Sequence, residues 1–169
     1  MSKDLERANR LLEFETAQDN RKFEIQMFWQ RANYFLVLNT ALAIGIFTVN
    51  SDSVAIFIAL FGMIASYLWF STNLGARYWQ VFWEEEVSKL SKNFGISAFE
   101  ISDDEIQAKA KRNLRLSGSH LRKWVDRQVT KKPSVSYNMI LLSLVTIVTW
   151  TLLFSTMLIK EIIQFCSCM

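Results

Sequence analysis

The sequence predicts an all-α integral membrane protein with three transmembrane helices, a long N-terminal cytoplasmic helix and a helical cytoplasmic region between spans two and three. Three observations predict it. Residues 34–49, 54–70 and 137–159 form apolar stretches that contain no Asp, Glu, Lys, Arg or His. Each is bordered by Trp or Tyr, the rings that sit at the level of lipid headgroups. Apart from Lys160 and Glu161, the charges are gathered between and before these stretches, so a mean hydropathy of +0.14 hides a chain divided into very polar and very apolar halves. A hydrocarbon core about 30 Å thick takes roughly 20 residues of helix. The third stretch, 23 residues long, meets that outright, and flanking aromatics and small polar residues lengthen the first two.

Residues 1–33 read as the N-terminal cytoplasmic amphipathic helix, rich in Glu, Arg, Gln and Leu and free of Pro and Gly. Leu5, Ala8 and Leu12 fall on one face, and Leu11, Phe14, Ile25 and Phe28 on a second, broken stripe. The opening Met1-Ser-Lys-Asp-Leu-Glu-Arg has neither an apolar h-region nor a small-residue cleavage site, so the first span is expected to remain in the mature protein. Phe28, Trp29, Tyr34 and Phe35 gather where this helix meets lipid, and one continuous helix is the simplest expectation.

Residues 34–73 read as a transmembrane hairpin, because Asn50-Ser51-Asp52-Ser53 is turn-prone and too short to hold a domain. Residues 74–135 form the cytoplasmic region. There Trp79, Trp83, Val87, Leu90 and Phe94 continue the second span as one helical face, Glu85 and Lys89 are spaced for an i, i+4 pair, and Gly95 suits a helix end. Ser102 with Glu105 has the spacing of a capping box, flanked by Ile101 and Ile106 as a hydrophobic staple, with Ala110 and Leu114 on the same apolar side. Ser117-Gly118-Ser119 breaks that helix. A third segment, residues 120–130, sets Leu121, Trp124 and Val125 against Arg122, Lys123 and Arg127, and Pro133 separates it from span three. Residues 136–159 are that span, and 160–169 a short non-cytoplasmic tail.

Orientation follows from the basic residues. Six precede the first span, twelve lie between spans two and three, and none lies in the hairpin connection. The positive-inside bias puts the N-terminus in the cytoplasm and the C-terminus outside it. Cys166 and Cys168 then stand in the outer tail, as small apolar residues or as an intersubunit disulfide or lipid attachment; a Cys-Ser-Cys pair is strained as an internal bridge.

Little in the chain speaks of catalysis. His120, the one histidine, has no Cys or carboxylate at a metal-ligand spacing, and the five glycines make no phosphate loop. Glu84-Glu85-Glu86 point three ways on a helix. Catalytic, cofactor-binding and metal-ligating residues are therefore all read as none. With no charge inside a span, a pump or proton-coupled transporter is disfavoured. Asn39 lies deep in the first span and is read as interhelical glue, with pore lining as the other use. Hydroxyls of span three, Ser136, Ser143, Thr146, Thr149 and Thr156, mostly bond back to their own backbone in such helices. Nine Lys or Arg within residues 109–132, against Asp126 alone, would draw anionic lipid headgroups. Arg122, Lys123, Arg127, Lys131 and Lys132 are the candidates for that contact, and nucleic acid is not expected as a partner.

Two stretches carry a resemblance, Leu-Val-Leu-Asn-Thr-Ala-Leu-Ala-Ile-Gly-Ile-Phe at 36–47 and Trp-Phe-Ser-Thr-Asn-Leu-Gly-Ala-Arg-Tyr-Trp-Gln-Val-Phe-Trp-Glu at 69–84. They resemble the small bacterial inner-membrane proteins of the RipA-like octameric membrane protein family. Asn39, Asn73, Gly75, Arg77, Tyr78, Trp79, Gln80, Trp83 and Glu84 match its pattern, and the likeness is strong over residues 28–94. It implies a bacterial cytoplasmic (inner) membrane, a homo-oligomer of eight and no assigned catalysis. Oligomer contacts are expected at Asn39, Asn73, Arg77, Tyr78, Trp79, Trp83 and Glu84, the tryptophans because the chain offers little core to cover them. The leading expectation is a structural or interaction platform without enzymatic activity. A pore or channel around a symmetry axis, for example in stress or defence, is the alternative, and an accessory subunit to an unidentified protein partner is a third.

Overall fold

A computed structural model describes residues 2–94, 103–113 and 134–167. Within them the chain forms α-helices and no strand: α1 (Ser2–Thr48), α2 (Asp52–Lys92), α3 (Asp103–Asn113) and α4 (Val135–Ser167). α1 runs 47 residues without interruption, as a stretch lacking Pro, with its one Gly at position 45, allows. It ends where Val49 N donates to Gly45 O at 3.1 Å and Thr48 Oγ1 caps the Ile44 carbonyl at 3.1 Å. Ser51 O accepts the first helical bond of α2, from Ala55 N at 3.0 Å, and Asp52 places a negative charge at the positive end of the helix dipole. Lys89 and Lys92 stand at the other end, where Asn93 N and Phe94 N tighten the last turn with i→i+3 bonds to Leu90 O and Ser91 O.

The chain divides into two compact units. The first comprises residues 1–24 and 79–135. Its core is small: Phe14 and Ala17 of α1 meet Val87 of α2, with Trp83, Leu90 and Phe94 packed around them. The Phe14 and Phe94 rings lie 5.7 Å apart. Of the two stripes expected on α1, Leu5 and Leu12 are exposed, and the second stripe contributes Phe14 but leaves Leu11 at the surface. Ala17, absent from either stripe, is buried instead, because a helix packing closely on another needs a small residue at the contact. The expected Glu85–Lys89 pair is not formed; Lys89 Nζ meets Glu86 Oε1 at 3.3 Å, one residue closer along the helix. α3 carries an exposed i, i+4 pair of its own, Lys109 Nζ to Glu105 Oε1 at 3.1 Å. Gly95, Ser102 and residues 114–133, with the expectations attached to them, lie outside the described residues.

The second unit comprises residues 25–78 and 136–169, and α1, α2 and α4 all enter it. α2 is antiparallel to both partners. Gly45 meets Ile58 and Asn39 meets Ser66 between α1 and α2; Asp52 meets Lys160 and Asn73 meets Ser143 between α2 and α4. The tail expected from residue 160 is instead helix as far as Ser167. Lys160 to Phe165 holds no Gly or Pro, so nothing in it stops the propagation of α4. Among the described residues, two helices are long and apolar enough to cross a membrane, Asp52–Lys92 and Val135–Cys166.

Candidate functional site

The second unit is organised around buried polar side chains. Asn39 Oδ1 accepts two hydrogen bonds from two different helices, from Ser66 Oγ of α2 at 2.9 Å and from Trp150 Nε1 of α4 at 2.7 Å. Its Nδ2 donates back to Phe35 O at 2.8 Å, which fixes the amide's orientation. One side chain therefore ties three helices at one level. Trp150 can reach Asn39 only because residue 62 is glycine: a Cβ there would overlap the indole ring. Phe35 adds a stacked contact with Trp69, ring centroids 6.1 Å apart and planes 12° from parallel. Trp69 is fully buried, and its Nε1 finds no hydrogen-bond partner among the described residues.

A second node stands farther along. Asn73 Nδ2 donates to Met139 O at 3.2 Å and to Ser143 Oγ at 3.3 Å, while Ser143 Oγ donates to Ile140 O at 2.8 Å. At the opposite end of α2, Lys160 Nζ meets both Asp52 oxygens at 3.1 and 3.3 Å. Three ties thus set the register of α2 against α4. Thr40, Thr146, Thr149, Thr151 and Thr156 spend their hydroxyls locally, each bonding a carbonyl three or four residues back. That is the ordinary fate of a hydroxyl in an apolar helix. Every buried polar residue among those described is neutral: Asn39, Ser66, Asn73, Gln80, Ser91 and Ser143. No group of three or more His, Cys, Asp or Glu stands together in the described residues.

The residues expected at contacts between copies separate into two kinds. Asn39 and Asn73 are buried in their own chain, and their amides join its helices. Trp83 lies against the Phe14–Val87 core and edge-to-face with Phe82 at 5.0 Å, so the chain covers part of it alone. Tyr78 and Trp79 are largely exposed, Trp79 turning its ring edge-on to Phe82 at 5.7 Å. Glu84 is exposed and Arg77 half-buried. Arg122, Lys123, Arg127, Lys131 and Lys132 lie outside the described residues. Gly62 and Trp150 were not singled out as a pair in the sequence. A glycine ten residues after a helix start and a Trp 88 positions later give no linear signal of contact.

Helices this apolar, held together by neutral amides and hydroxyls where a water-soluble bundle would use Leu and Ile alone, define a membrane helical protein. A sequence profile of the octameric membrane protein family (8xMP) matches residues 11–159, and the chain belongs to that family. No curated protein and no solved structure matches it.

Proposed function

We propose that this protein is a homo-oligomeric structural or interaction platform of the bacterial inner membrane, working without catalysis. Eight copies assemble in one orientation. α1 supplies the third span: its residues 34–48 lie beside α2 and α4 at the depth where both are apolar, Asn39 level with Ser66 and Trp150. The N-terminus is cytoplasmic and the C-terminus is not, in keeping with eighteen of nineteen basic residues on one side. Exposed Tyr78 and Trp79, with Arg77 and Glu84 nearby in sequence, contribute to contacts between copies. Arg122, Lys123, Arg127, Lys131 and Lys132 meet anionic headgroups, and a further protein partner docks on the cytoplasmic part.

The observation that carries this reading is where the polar groups of the helices go. A water-filled conduit is lined by polar side chains with bonding capacity to spare. Here Asn39 uses both lone pairs and Asn73 both donor directions inside one chain, and the threonines bond their own backbone. Planar-bilayer recording of the purified oligomer tests it. The expected record is silent; stepwise conductance that tracks oligomer concentration would replace the platform by a pore.

A further inference from the structure

The exposed face of α2 has an order that contact with lipid does not require. Phe57, Phe61, Ile64, Leu68, Ser71 and Gly75 follow one another at spacings of four, three, four, three and four. That is the a/d seam of a coiled coil. All six are exposed, the four large ones by between 46% and 71%. With about 100° per residue, the seam lies roughly opposite Gly62, Ser66, Trp69 and Asn73, the side of α2 that meets α1 and α4. Gly75 belongs to the seam and has no reason within the chain, since a Cβ there meets nothing within 4 Å. Glycine inside a helix costs about 1 kcal/mol against alanine, and close approach of another helix is what a small residue on a helix face permits.

A complementary feature lies elsewhere on the same unit. Between α1 and α4, a groove of about 340 Å³ is lined by Thr40, Ala43, Thr149 and Leu153 among others, and by no residue of α2. We infer that the α2 seam of one copy packs into the α1–α4 groove of the next. The inference rests on the proposed assembly of eight copies inserted in one orientation. Such copies can close only about an axis normal to the membrane, because dihedral symmetry would turn half of them over. Every contact in that ring is heterologous, joining two different faces of the chain. Rotation about the normal also preserves depth, so touching residues must lie at one level. They do: Phe61 adjoins Gly62, Gly62 seats Trp150, and Trp150 adjoins Thr149. Phe61 is the knob that enters between Ala43 and Thr149.

Disulfide trapping tests this in native membranes, in a Cys166→Ser, Cys168→Ser background. A chain carrying both Phe61→Cys and Thr149→Cys, mildly oxidised, should give a non-reducing ladder of covalent multimers reaching eight copies. Chains carrying one or the other, co-expressed, should give dimers and stop there, and either alone should give none. Both positions are exposed, so neither change disturbs packing within the chain. A doubly substituted chain that stays unlinked, while native mass spectrometry shows the wild-type octamer, overturns the seam-in-groove contact; lipid chains filling the groove would produce that result. Efficient dimers from Phe61→Cys alone overturn it too, by placing α2 against α2. A wild-type protein that runs as a single copy removes the assembly itself, a failure separate from either.

Discussion

An amide oxygen has two lone pairs, and Asn39 commits both of them to other helices. Removing that oxygen strands two donors at once, the Ser66 hydroxyl and the Trp150 indole N–H, in surroundings with no water to replace it. Each stranded donor costs about 1–3 kcal/mol. Asn39→Leu is therefore expected to destabilise the protein by more than its lost bonds suggest, since interhelical hydrogen bonds in membranes average only about 0.6 kcal/mol by double-mutant cycles. Thermal unfolding in detergent, followed by Trp fluorescence, should show a lower Tm and a changed emission from Trp150. Gly62→Ala attacks the same node by overpacking, at about 1–3 kcal/mol. Combined with Trp150→Ala, which removes the ring it strikes, its cost should shrink well below the single value. Equal costs in the two backgrounds would show that Gly62 matters for some other reason. The sequence marked Asn39 as glue because an amide in an apolar span needs a partner; it did not name the partner. Hydrogen bonding prescribes chemistry, and only proximity in three dimensions prescribes which donor answers.

At the scale of the helices, the two kinds of tie along α2 differ in worth. Asp52 and Lys160 are both more than half exposed, so solvent screening leaves their pair at about 0–1 kcal/mol. Asp52→Asn should lower Tm slightly, and raising ionic strength should erase the difference. Val87 is different, being wholly buried against Phe14 and Ala17. Val87→Ala should cost about 2 kcal/mol by loss of apolar contact, insensitive to salt. A larger effect from Asp52→Asn than from Val87→Ala would invert this ranking. Helix existence and the α1–α2 hairpin were legible from composition and from the turn-prone residues 50–53, of which Asp52 and Ser53 already belong to α2. The buried side of the N-terminal half of α1 was not. Two candidate stripes had similar apolar content, and the choice fell to whichever matched the small and large residues of α2. The unbroken run of α4 past Lys160 was missed for a related reason: a charged pair reads as the end of a span, but a helix stops only where its backbone is given cause.

For the whole molecule, the contact proposed between the basic run at residues 109–132 and anionic headgroups has a direct test. Replacing Arg122, Lys123 and Arg127 with Gln should weaken association of the detergent-purified protein with anionic nanodiscs over neutral ones by about 1 kcal/mol per charge. Unchanged preference would dismiss those residues as headgroup contacts. Oligomer mass, read by native mass spectrometry, should be unaffected by that change and by Asp52→Asn. The amino-acid sequence by itself determined that the chain is helical, that it belongs with lipid, and that its family is one of octameric membrane proteins. Those properties depend on composition and local periodicity, which act along the chain. Tertiary structure alone decided that Asn39, Ser66, Gly62 and Trp150 share one level, and that Asn73 is spent on Ser143 and Met139. It also decided that one seam of α2 is left facing outward. These are relations between residues far apart in sequence, fixed by how helices of a given girth can approach, and no linear pattern encodes them.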